Sequence, residues 1–115
     1  MREQYAHEAV LRMPDGNDVR APGAAITVEL CGHWEHEGPC VWPHNSAIDT
    51  AREPALFRTL YIADEDEEPE VRRRIEQSLR NGRDWTVVGV RSRAVAEHER
   101  ELADRLATGP RAAAG

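Results

Sequence analysis

Apolar residues recur along this chain with two different periods, and each change of period marks an element boundary. Residues 8–13 (Glu-Ala-Val-Leu-Arg-Met) read as a short strand, closed by the turn signal Pro14-Asp15-Gly16-Asn17. From residue 25 to residue 34, Ile26, Val28 and Leu30 alternate with Thr27, Glu29, Cys31 and His33. That spacing predicts a second strand, with Cys31 and His33 side by side on its polar face. Residues 35–54 carry Gly38-Pro39 and Pro43 and read as a long loop, of a length that needs a structural reason. Residues 55–63 are dense in Leu, Phe, Tyr and Ile and predict a third strand.

The period then changes. Val71, Ile75 and Leu79 recur at i, i+4 and i+8, with Pro69 in the first turn and Asn81-Gly82 as a stop, so residues 69–80 predict a helix. Residues 85–93 predict a further strand. A last helix is expected over residues 94–108, with Val95, Leu102 and Leu106 as its inner face. Strand 55–63, helix 69–80 and strand 85–93 form one crossover unit whose strands should lie parallel. These elements predict an α+β domain over residues 1–110: a two-layer sandwich with a mixed sheet of about four strands and two helices on one face. Residues 111–115 read as a frayed tail.

Composition narrows the function classes. The chain has 115 residues and a formal charge of −6, and all 15 of its basic residues are Arg. Without lysine there is no Schiff-base or phosphate-loop lysine chemistry. The acidic balance argues against nucleic acid as a partner, because binding it needs net positive charge along a groove. No apolar run approaches a membrane span, and no secretory leader is apparent, so a cytoplasmic location is expected. A homodimer formed through the sheet edge, or another protein partner, is the expected association.

The densest chemistry lies in residues 31–44, where Cys31, His33, His36, Cys40 and His44 crowd together. Thiolate and imidazole are ligands for zinc and similar metals, and a metal would staple a small domain and explain its long loop. The preferred set is Cys31, His33, Cys40 and His44, with His36 as a spare or in place of His33. Trp34 and Trp42 would then cover the site. The spacing matches no standard zinc finger or ribbon. Three other arrangements use the same residues. One is a metal-dependent hydrolase on His33, His36 and His44 with Glu35 or Glu37 as base. Another is a thiol redox or metal-handling protein on Cys31 and Cys40. The third is a simple disulfide between the two cysteines. The main reading is a metal-stapled binding or accessory domain.

The remaining charged segments read as structural. Six of the seven residues 64–70 are acidic, which suits a helix N-terminus. Arg72, Arg73 and Arg74 fit ion pairs one turn away along that helix. His7 and His98 stand apart from the cluster.

Overall fold

The computed structural model describes residues 2–14, 16–31 and 42–108, with the backbone alone at positions 2, 31 and 108. In chain order the elements are β1 (Arg2–Arg12), α1 (Ala21–Cys31), β2 (His44–Asp49), β3 (Ala55–Asp64), α2 (Glu68–Arg80), β4 (Thr86–Arg93) and α3 (Arg100–Thr108). The strands form one sheet in the order β2-β3-β1-β4, and every neighbouring pair is antiparallel. The α+β class and the four-stranded sheet are as expected from the sequence, but the two helices that share a face are α1 and α2, not the expected 69–80 and 94–108. The pairing is not mixed. β3 and β4 do run parallel, but β1 lies between them and pairs with both. This is a doubled split β-α-β arrangement.

The largest departure is at residues 21–31, which form α1 where the alternation predicted a strand at 25–34. The pattern was ambiguous because Ile26 and Leu30 satisfy both periods. Pro22, Ile26 and Leu30 are all buried and recur every four residues, whereas Val28 is 46% exposed. Pro22 sits in the first turn, where its missing N–H costs nothing. The Asp18 carbonyl accepts from the Ala21 amide as the helix begins. Part of the expected 35–54 loop also resolves differently, since residues 44–49 form the edge strand β2.

α1 and α2 pack side by side on one face of the sheet. Ile26 and Leu30 meet Val71, Ile75 and Leu79 over Ala9, Leu11, Phe57, Tyr61 and Ala63. The Ser78 hydroxyl ties the two helices together by donating to the Ala25 carbonyl (3.2 Å). α2 spans Glu68–Arg80, as its periodicity predicted. Its end is closed by Trp85, whose Nε1–H donates to the Leu79 carbonyl (2.8 Å). Gly82 makes that closure possible, because a Cβ there would lie 2.0 Å from the Trp85 ring. The last helix is shorter than expected and follows a 3₁₀ turn at Glu97–Glu99. It covers part of the opposite sheet face, where Val95 and Ala103 pack on Ala6 and Leu60. No helix among the described residues is long and apolar enough to cross a membrane.

Candidate functional site at the α1–β2 joint

Of the sequence-predicted ligands, Cys31 and His44 fall on described backbone, and His33, His36 and Cys40 lie outside the described residues. Cys31 is the last residue of α1 and His44 the first of β2. Cys31 therefore ends a helix and does not lie on the strand face that the alternation predicted. Among the described residues no group of three or more His, Cys, Asp or Glu side chains converges as a metal site would require.

His44 is nevertheless held in an informative way. Its Nδ1 lies 3.1 Å from the Trp42 carbonyl oxygen, which can only accept, so Nδ1 carries the proton. Its Nε2 lies 3.1 Å from the Thr27 hydroxyl of α1. In the neutral ring Nε2 is then the lone-pair nitrogen, and the Thr27 hydroxyl donates to it. A backbone carbonyl fixing Nδ1–H is the usual way a metal-binding imidazole is oriented. Thr27 and His44 line a cavity of about 430 Å³ between α1 and β2, with Gly23, Ala24 and Ser46. The β2 alternation points His44, Ser46 and Ile48 under α1 and leaves Asn45, Ala47 and Asp49 outward. Trp42, just before β2, meets the Arg74 guanidinium of α2 5.1 Å from its ring centre.

Two further constellations escaped sequence reasoning. The first is a polar row across the helix-facing side of the sheet. Ser46 of β2, Thr59 of β3, His7 of β1 and Ser92 of β4 stand opposite one another in register. Ser46 and Thr59 share a hydrogen bond of 3.2 Å, and Arg72 of α2 donates to the Ser92 hydroxyl at 3.2 Å. His7 is fully buried; its Nε2 lies 3.3 Å from a Glu76 carboxylate oxygen, and its Nδ1 has no hydrogen-bond partner among the described residues. Burial pulls the His7 pKa below its ordinary value, against the opposing pull of Glu76. One row along, Tyr61 donates to Glu68 (2.6 Å) and stacks on Tyr5 with ring centres 5.5 Å apart. Desolvation, helped by Glu68, raises the Tyr61 phenol far above its usual range. The sequence signal was faint: His7 shares the alternation of Tyr5, Ala9 and Leu11, but the predicted strand began only at residue 8.

The second constellation lies on the opposite sheet face. Glu8 of β1 is buried, yet three arginines converge on it. Arg58 of β3 donates to it, the Arg91 Nε–H of β4 donates at 2.9 Å, and the Arg93 Nε stands 3.8 Å away. Glu99 takes both remaining ends of the Arg58 fork, at 2.7 and 2.6 Å. Burial of Glu8 works against its ionisation, but Arg91, Arg58 and Arg93 hold its pKa below the ordinary carboxylate range. Arg58 does the same for Glu99.

The acidic run and the Arg72–Arg74 cluster engage each other along α2. Arg72 stands 3.7 Å from Glu68, and both Arg73 and Arg74 pair with Glu70. His98 is exposed on the 3₁₀ turn before α3. No protein-family model, curated protein or solved structure matches the chain.

Proposed function

We propose that this chain is a small binding or accessory domain whose α1–β2 joint is stapled by a zinc ion. Cys31, His33, Cys40 and His44 are the ligands, and His36 is the spare. The observation that supports this reading is the clamp on His44. Its Nδ1–H is fixed by the Trp42 carbonyl, and its lone-pair nitrogen is turned toward the hydroxyl of Thr27, which a metal would displace. The segment leaving α1 at Cys31 and entering β2 at His44 carries the other three ligands. In a reducing cytoplasm, the location that suits this reading, both thiols are available to a metal. As a partner we propose a second copy joined along the β2 edge of the sheet, and no nucleic acid.

Elemental analysis of untagged protein tests the staple. About one zinc per chain is expected, with a chelator lowering the melting temperature, because metal affinity adds directly to folding free energy. His44→Ala should shed the metal, whereas Thr27→Ala, which removes only the displaced partner, and exposed His98→Ala should retain it. A metal-free protein whose melt ignores the chelator rules the staple out.

A further inference from the structure

The Glu8 cluster has a charge imbalance that its internal pairing does not resolve. Two carboxylates, Glu8 and Glu99, face three guanidinium groups, Arg58, Arg91 and Arg93. Arg58 is nearly enclosed, with its side chain 17% exposed, and is fully engaged by Glu8, Glu99 and the Ala94 carbonyl. The surplus positive charge therefore sits on Arg91 and Arg93, which are 60% and 51% exposed. Each approaches Glu8 through Nε, and among the described residues no partner is seen for their terminal nitrogens. They are two residues apart on edge strand β4, so both forks stand on the same sheet face.

Beside Arg91 lies a cavity of about 250 Å³ lined by Val10, Gly89, Val90, Arg91 and Glu8. Gly89 leaves that space open, since a Cβ built there would meet nothing within 4 Å. A buried ion cluster contributes little net stability, so Glu8 is poorly explained as a stabilising device. Its geometry does explain how Arg91 is held at Nε by a hydrogen bond and Arg93 kept beside it by an ion pair, both leaving their terminal nitrogens to a ligand. Pre-ordering of that kind lowers the cost of binding.

We propose that Arg91 and Arg93, anchored by Glu8, form a binding site for a small organic monocarboxylate with an apolar tail. A guanidinium fork matches a planar carboxylate with two parallel hydrogen bonds. The surplus of one positive charge matches a monoanion, and the nearby Glu8 carboxylate disfavours a phosphate dianion. The tail lies against Val10 and the open face of Gly89, in a cavity at the small end of ligand pockets.

Titration of ¹⁵N-labelled protein with hexanoate, hexanol and inorganic phosphate, followed by NMR, tests this. Hexanoate should shift the Gly89, Val90 and Arg91 amides and the Arg91 Nε–H saturably. Hexanol and phosphate should bind at least about tenfold more weakly, the loss of one charge-assisted pair. Arg91→Gln should weaken hexanoate by a similar factor. Arg91→Lys should not restore it, because the fork is lost while the charge remains. Glu8→Gln tests the anchor and is judged only if its amide spectrum stays folded; Arg93→Gln, on an exposed side chain, tests the cluster independently. Unsaturable hexanoate shifts, phosphate binding as tight as hexanoate, or full affinity in both Arg91→Gln and Arg93→Gln would each overturn the proposal.

Discussion

Two residues carry more structural weight than their types suggest. Gly82 is one, because the Trp85 indole that caps α2 occupies the space where any Cβ would go. The clash is with a buried ring that has no room to retreat, so Gly82→Ala should destabilise the fold by about 1–3 kcal/mol, the usual cost of overpacking. Thermal or urea melts check this, and a neutral substitution would mean that Trp85 is free to leave α2. His7 is the other. Held neutral under α2 between Thr59 and Ser92, with Glu76 and Arg72 above, it resists protonation in the folded state. The unfolded chain takes the proton near pH 6.5 and the folded chain only at lower pH. Stability from this group is therefore complete above about pH 6.5 and falls as the pH drops below it, by at most about 1.4 kcal/mol per pH unit. Glu8 and Glu99, whose pKa values are depressed, add a separate loss that begins only below about pH 4.3. In His7→Leu the upper slope should vanish and the lower one persist. A parent protein with flat stability between pH 7 and 5 would contradict the assignment.

At the scale of elements, sequence periodicity was reliable where a single period could explain the apolar positions. Val71, Ile75 and Leu79 fit only a helix, and α2 runs as read. Each of the three is fully buried, so Ile75→Ala should cost about 2–5 kcal/mol in a denaturant melt. The dense apolar run of β3 and the valines of β4 were equally legible. Residues 25–31 misled because Ile26 and Leu30 fit either period, and the deciding residue, Pro22, lies outside the alternating run. β2 was missed for a different reason: its inward positions are His44, Ser46 and Ile48, so the strand buries polar groups that pattern reading assigns to loops. The extended β1 was hidden likewise, since Ala6, His7 and Glu8 occupy sites where apolar bulk is expected. The same polar row and ion cluster are the chemistry that sequence reasoning overlooked. Side chains from four strands meet there, and no local spacing records that meeting. Of the predicted ligand set, the crowding of Cys and His was legible, but its geometry rested on a strand that is a helix.

At the scale of the molecule, the sheet has two edges, and they are protected unequally. β4 carries a bulge between its pairings to Val10 and Leu11, which leaves Val88 out of register and 52% exposed, and it ends in Arg91 and Arg93. Bulges and charges are the usual devices that stop edge strands from pairing. β2 has neither over its first five residues, and its outward side chains Asn45 and Ala47 are small and neutral. Pairing of two β2 strands in antiparallel register would make a continuous eight-stranded sheet about a twofold axis, the commonest oligomer symmetry. A β4–β4 contact would instead bring four arginines together across a short distance. The parent chain should therefore migrate as a dimer by light scattering at micromolar concentration. Ala47→Lys should convert it to a monomer by placing like charges near the axis, while Val88→Lys on the other edge should leave the dimer intact. A monomeric parent, or dissociation caused by Val88→Lys alone, would move the association away from β2. Because β2 begins at His44, removal of metal in the proposed staple should also weaken the dimer. Light scattering before and after chelation measures both properties in one sample.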